Sequence, residues 1–279
     1  MAHEAGQLIF VPTPIGNRED ITLRALRLLR EADLIACEDT RHTGPLLAYY
    51  GVHAPLLSYE KFNEERRAET LLDEVKKGKK VCLVSDAGMP GISDPGLILL
   101  RRAAEVGVPF TVLPGPSAGI TAYVASGLGD GRYYFFGFLP RKGRERTQAL
   151  ERLDVLDTTA VIYEAPHRIR ATLQEFARRW PRRRIVTCRE WTKAFEERRS
   201  FLGEELVAEE IKEKGEYVIV LEAFQEAPAL PDEAQLQSRI EALLAEGLTT
   251  KEVVQTLLTW SGRSKNDLYQ TAINITKKK

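Results

Sequence analysis

Short apolar runs alternate with amphipathic stretches along the first 126 residues, and the alternation predicts strand followed by helix five times. Residues 8–11 read as a strand that runs into 12–17, where Pro12, Pro14 and Gly16 exclude helix. Asp20-Ile-Thr predicts a helix start, with Ile21, Leu23, Leu26, Leu28 and Leu29 at mixed three- and four-residue spacing up to about Ala32. A second strand, 34–37, ends in the polar cluster Glu38, Asp39, Thr40, Arg41 and His42. Residues 43–50 read as helix, 56–58 as strand, and 63–77 as an amphipathic helix stopped by Gly78. The apolar run 81–84 predicts a buried strand opening into a long loop, 85–96, rich in glycine and proline. Asp94-Pro-Gly is expected to lead a helix to about Val106. Residues 110–113 form the next strand, and 114–118 turn into a helix that reaches Ser126.

Gly127, Gly129 and Gly131 mark a boundary, because three glycines in five residues do not continue a helix. Beyond it lie an aromatic strand 133–138, a basic helix 141–153, a strand 159–163, a helix 166–180 and strands 184–188 and 217–222. Residues 196–200 are expected to form a hairpin arm and 204–214 a helix, giving mixed strand directions. Three helices follow, 233–246, 250–260 and 265–276, with caps or breakers at Asp232, Thr249 and Ser264. The expected organisation is an α/β domain over 1–128, a second over 129–227, and a small helical, helix-turn-helix-like tail over 228–279.

Composition excludes several classes. Among 279 residues 43% are hydrophobic and 29% charged, as in an ordinary folded domain. No apolar run approaches the roughly 20 residues of a membrane helix, and residues 1–14 lack a signal-peptide pattern, so a cytoplasmic protein without membrane partners is expected. Cys37, Cys82 and Cys188 are widely separated and predict neither disulfides nor a metal site. The 40 basic and 40 acidic residues cancel, but residues 141–199 hold 16 Lys or Arg against 9 Asp or Glu, a possible phosphate-facing surface.

There is no phosphate-binding GxxxxGK[ST] or GxGxxG loop and no GxSxG elbow. His42 and His167 stand beside arginines, an arrangement open to catalysis or to simple hydrogen bonding. Ser117 suits donation of hydrogen bonds at a helix start better than nucleophilic attack. Four loops, 12–18, 38–42, 85–96 and 114–118, follow predicted strands and share one edge if the sheet is parallel, making a single composite site. With only Arg18 and Arg41 as cations, that site suits a neutral or cationic molecule with hydroxyls and a flat ring rather than a polyphosphate.

Eight ordered motifs carry a resemblance: PTPIGNREDIT (12–22), ACEDTRHT (36–43), SDAGMPGISDPG (85–96), PGPSA (114–118), GFLP (137–140), YEAPHR (163–168), RExTKxFE (189–196) and KGEYVIV (214–220). In this order they resemble the tetrapyrrole methylase family, and within it the branch that methylates ribosomal RNA. The resemblance implies two α/β domains with S-adenosylmethionine in the cleft between them. It also implies 2'-O-methylation of a cytidine ribose in the decoding region of small-subunit RNA, free or in the 30S particle, by a homodimer without metal. By position, donor contacts would come from Pro14, Asp86, Ala87, Gly88, Ile92, Ser117, Ala118, Tyr163, Glu164 and Arg189. Glu38 and Asp39 are candidates for base or orienting acceptor, and Arg41 and Lys193 for phosphate holders or electrostatic partners. Asp39 and Arg41 rank first. Met89, Arg18 and Trp191 depart from the usual Thr, Leu and Leu of the motifs. Two alternatives stand: a tetrapyrrole C-methylase, against which the absence of GxGPGDP at 12–18 speaks, and a non-catalytic RNA-binding module of the same fold.

Overall fold

A computed structural model describes residues 6–224, 233–261 and 263–277. The chain divides into two compact units, Met1–Phe224 and Gln225–Lys279.

The first unit opens with a parallel sheet of β1 (Gln7–Val11), β2 (Leu34–Cys37), β3 (Leu56–Ser58), β4 (Lys80–Val84) and β5 (Phe110–Val112), in the order β3-β2-β4-β1-β5. Its connections are α1 (Leu23–Arg30), α2 (Thr40–Tyr49), α3 (Glu64–Lys76) and α4 (Leu97–Glu105). Leu8, Phe10, Val81 and Leu83 pack against α3 and α4, and Ile9, Val11, Cys82 and Val84 pack on the opposite face with α1 and α2. Both faces are covered, which is why these strands read as unbroken apolar runs. β1 and β4 are neighbours, yet the chain leaves β1 toward β2 on one side and leaves β4 toward β5 on the other. The loops after β1 and β4 therefore flank the point where the winding reverses, the usual ligand crevice of such sheets.

The second sheet contains β6 (Tyr133–Phe138), β7 (Thr159–Glu164), β8 (Arg184–Arg189), β9 (Glu197–Leu202) and β10 (Tyr217–Leu221), in the order β6-β7-β10-β8-β9. Only β6 and β7 run parallel; the other neighbours are antiparallel, as the mixed directions predicted. α6 (Gly143–Asp154) and α7 (Ile169–Arg179) cover one face. The other face is covered by α5 (Ala118–Ser126), the helix that follows β5, through Ala122 against Val161, Val186, Val218 and Val220. Small residues permit this approach: a Cβ on Gly119 would already lie 3.3 Å from the Tyr163 hydroxyl.

Three elements differ from expectation. The helix expected from Asp20 is a 3-10 turn, Arg18–Asp20, followed by α1, because the Thr22 hydroxyl takes the Ala25 amide at 3.0 Å and starts the helix there. α2 begins at Thr40, not 43, capped by Asp39. The helix expected over 204–214 is only a 3-10 segment, Gly203–Ala208. Beyond it the carbonyls of Glu210, Ile211 and Lys212 accept from Arg199, Arg170 and Tyr217 side chains rather than from amides four residues on.

The second unit consists of α8 (Glu233–Ala245), α9 (Thr250–Ser261) and α10 (Lys265–Lys277) around its own core of Leu236, Ile240, Val253, Leu257, Leu268 and Ala272. Thr249 and Glu252 form a reciprocal capping box, and Ser264 caps α10. The expected cap Asp232 lies outside the described residues.

Candidate functional site

The four loops meet. With the ends of β6, β7 and β8 and the start of β10 they enclose a cavity of about 440 Å³, within the roughly 300–1,000 Å³ of small-molecule sites. Ile15 comes from the first loop, Glu38 from the second, residues 86–89 and 92–94 from the third, and Ser117 and Ala118 from the fourth.

The first and third loops are laced together. Thr13 and Gly88 exchange amide-to-carbonyl hydrogen bonds of 2.9 and 3.0 Å, and the buried Thr13 hydroxyl donates to the Ser85 carbonyl at 2.9 Å. The exchange requires Gly88 at φ 80°, in the left-handed region that glycine enters without strain. A clasp crosses to the second sheet as well. The Asn17 amide donates to the Thr192 hydroxyl at 2.9 Å, and Gly16 packs so closely that a Cβ would lie 2.5 Å from Lys193 Cγ and 2.7 Å from Thr192 Oγ1.

Five carboxylates line the cavity, Glu38, Asp86 and Asp94 from the first-sheet loops and Glu164 and Glu216 from the second-sheet side, and no lysine, arginine or histidine lines it. Burial, and then the charges of Glu38 and Asp86, push the Asp94 carboxyl from 3.8 up to about 7. Burial also raises Glu38, followed by the nearby Asp86 and Glu60. α4 follows Asp94-Pro-Gly as expected, but its cap residue is Gly96, whose amide donates to Glu64 Oε1 at 2.8 Å. Asp94 does not serve as the cap and faces the cavity.

Asp39 and Arg41 lie outside the cavity lining. The Asp39 carboxylate caps α2 through the Arg41 amide at 2.8 Å and grips the Arg41 guanidinium at 3.1 and 2.8 Å. Those bonds hold its carboxyl down at about 2, and the Arg41 side chain remains 90% exposed. The Asp39 amide donates to Asp86 Oδ1 at 3.3 Å, which helps aim Asp86.

On the second sheet Tyr163 and Glu164 line the cavity. Glu164 is fully buried and neutralised: Arg168 Nε lies 3.2 Å from its carboxylate, and Thr172 and the Ala165 amide donate at 2.6 and 2.9 Å. Pro14 is buried without lining the cavity. Arg189 donates to the Lys214 carbonyl and also stays out of the lining. Lys193 bridges Glu190 at 3.1 Å and Glu216 at 2.9 Å, and only Glu216 reaches the cavity. Phe138, Cys188, Trp191 and Glu216 also belong to the wall. Of these, Phe138, Trp191 and Glu216 lie inside the GFLP, RExTKxFE and KGEYVIV motifs, and that placement was their only signal. Among the described residues no cluster of His, Cys, Asp or Glu is placed to hold a metal ion, and no helix is long and apolar enough to cross a membrane.

A parallel sheet whose switch-point crevice is closed by a mixed second sheet defines a two-sheet α/β fold with a small-molecule site between the sheets. The sequence profile of the tetrapyrrole (corrin/porphyrin) methylases matches residues 7–207. A protein of Halalkalibacterium halodurans, ribosomal RNA small subunit methyltransferase I, is 40% identical over 95% of this chain and 94% of its own length. Its namesake in Escherichia coli O157:H7 is 42% identical over 96% of this chain and 95% of its own. Among solved structures, a diphthine synthase superposes with a TM-score of 0.61 at 17% identity, covering 77% of this chain and 90% of its own. A uroporphyrin-III-C-methyltransferase from Thermus thermophilus superposes at 0.55 with 20% identity, covering 78% and 93%. The chain belongs to the tetrapyrrole methylase family.

Proposed function

We propose that the protein transfers a methyl group from S-adenosylmethionine to small-subunit ribosomal RNA. More narrowly, the acceptor is the 2'-oxygen of a cytidine ribose near the decoding centre of 16S RNA, and the enzyme acts in the cytoplasm as a homodimer. The observation that carries the donor is the cavity itself, which sets the carboxylates of Glu38, Asp86 and Asp94 at the switch point, Glu164 and Glu216 opposite them, and no cation among its lining residues. That chemistry suits a compact cation with hydroxyls and a ring, and disfavours polyphosphate. Near-full-length similarity to proteins named ribosomal RNA small subunit methyltransferase I supports RNA as the acceptor. The exposed Ile120 and Val124 of α5, with Phe110 and Val112 of β5, support a second copy as partner.

S-adenosylmethionine, when bound, supplies an electrophilic methyl on a sulfonium. Asp86, Ala87, Gly88 and Ile92 on one side, and Ser117, Ala118, Tyr163 and Glu164 on the other, are the residues that would hold it. Pro14 backs the first loop from behind, and Arg189 fixes the strand end from outside. Ser117 is free to serve because its side chain makes no capping bond to α5. The carboxylates of Glu38, Asp86 and Asp94 set up a negative field, while Ile15, Trp191 and Val218 exclude water. Most of the rate is positioning, with reacting atoms held about 3 to 3.5 Å apart. Glu38 or Asp94 accepts the hydroxyl proton: each carboxyl is raised toward neutrality, and such transfer contributes roughly 10²- to 10⁴-fold. Asp39 shapes the loop and aims Arg41 outward toward phosphate, and Lys193 positions Glu216.

The test is transfer of labelled methyl from S-adenosylmethionine to 30S particles, free 16S RNA and uroporphyrinogen, followed by mapping of the modified nucleotide. Label at a cytidine ribose is expected; label on the tetrapyrrole alone overturns the reading.

A further inference from the structure

β6 and β7 are parallel neighbours, so the loops that follow them leave the same edge of the sheet. Each loop passes from the donor cavity into a second recess. Phe138 and residues 163–166 line the cavity, whereas Arg141, His167 and Arg168, with Arg146, Thr172 and Glu175, line a recess of about 360 Å³. Pro166 and His167 are consecutive, so about 3.8 Å of backbone separates the two sites.

The floor of the recess is fixed. Arg168 is anchored by Glu164 at 3.2 Å and by the Leu139 carbonyl at 2.8 Å. Arg146 grips Glu175 at 2.9 and 2.6 Å and the Pro140 carbonyl at 2.9 Å. The two carboxylates are thereby balanced by the two largely buried guanidiniums. Arg141 and His167 are not engaged in this way: both are exposed, and among the described residues neither has a hydrogen-bond or ion-pair partner. Lys142, the cap residue of α6, and Arg144, in its first turn, also lack a side-chain partner among the described residues. Some exposed arginines elsewhere, such as Arg27, Arg102 and Arg132, are paired with adjacent carboxylates and others, such as Arg24 and Arg101, are not among the described residues; Arg141 and His167 are set apart by lining a recess beside the cavity. A cavity with no cation beside a recess with two unpaired donors is a division of labour: ribose at the first, phosphate at the second.

We propose that this recess binds a backbone phosphate adjoining the nucleotide whose ribose enters the donor cavity, with Arg141 and His167 donating to its oxygens. The inference rests on RNA being the acceptor, as argued above. Arg168 and Arg146 form the charged floor without needing to leave their carboxylates. Phe138, 52% exposed on the strip between the two sites, offers its ring face to a neighbouring base.

The test is the full-length double variant R141A/H167A. For small-subunit RNA its KM should rise about tenfold, and the slope of log affinity against log salt should become shallower by about one, for the one phosphate no longer neutralised. S-adenosylmethionine binding without RNA, followed by calorimetry, reports that the variant is folded. In the wild type, titrated inorganic phosphate should shift the imidazole resonance that disappears in H167Q and leave the other histidines in place. A wild type that methylates RNA beside a variant with unchanged KM and salt slope overturns the phosphate site alone. A wild type that transfers no methyl to RNA overturns the acceptor reading and this site with it.

Discussion

The hydroxyl of Tyr163, at the end of β7, accepts a hydrogen bond from the amide of Gly119 at 3.1 Å, so a strand of the second sheet caps the helix that follows the first. The first amides of a helix lack partners within it, and the Ser117 side chain supplies none here. Y163F leaves the Gly119 amide unpaired at the cavity wall. A loss of about 1 kcal/mol is expected, read as a melting temperature lower by a few degrees, with several-fold weaker donor binding by calorimetry. Unchanged donor affinity would show that this bond does not shape the cavity.

Asp94 gives the apoprotein a definite response to pH. Its carboxyl is raised from 3.8 to about 7, so between those values the folded chain holds a proton that the unfolded chain has released. Stability should fall as pH rises through that window, and D94N should flatten the fall, as seen in urea unfolding at several pH values. The neighbouring charges are Glu38 and Asp86, with the Tyr163 hydroxyl nearby.

Donor binding should move the same proton. A sulfonium beside Asp94 favours its ionised form, so binding near pH 6 should release protons, measured by calorimetry in buffers of different ionisation enthalpy. The uncharged sulfur of S-adenosylhomocysteine should release fewer, and D94N should remove most of the difference.

Gly16 is a second test of the cleft. A methyl there would meet Lys193 Cγ at 2.5 Å and the Trp191 carbonyl at 3.0 Å, forcing the clasped loops apart. G16A should cost about 1 to 3 kcal/mol and raise the KM for donor, while a glycine in open surroundings such as Gly107 should tolerate substitution better apart from its φ of 68°. Thermal melts of the two variants separate crowding from backbone strain.

The helical unit has its own core, so a chain ending at Phe224 should fold and bind donor as before. If the tail holds RNA, filter binding should show weaker affinity and a flatter salt dependence. Equal affinity for RNA would assign the tail another task.

Much of this was legible in the chain, for physical reasons. Strands buried on both faces must be continuously apolar, so 8–11, 34–37 and 81–84 declared a parallel sheet, and parallel strands bring their following loops to one edge. Asp86, Gly88, Ser117 and Ala118 could be placed on that basis. Asp94 was less plain, because Asp-Pro-Gly serves equally as a loop acceptor and as a helix start, and the group that takes the Gly96 amide, Glu64, lies 32 residues before Gly96. The pair of Asp39 and Arg41 reads equally as catalyst or cap, and only the folded loop shows both side chains turned to one another. Lys193 and Arg189 were expected at the cavity, yet their side chains answer to Glu216 and Lys214, partners that no local periodicity brings to mind.

The clasp between Asn17 and Thr192 joins positions 175 apart in the chain. A ribosome making this protein has long released the loop at Asn17 before the residue that secures it exists. The parallel sheet can form on the nascent chain, but its crevice stays open on one side until Trp191 and Val218 have emerged. The cavity is thus completed only after the second sheet has been made, and a product of translation interrupted before Trp191 holds a sheet without it.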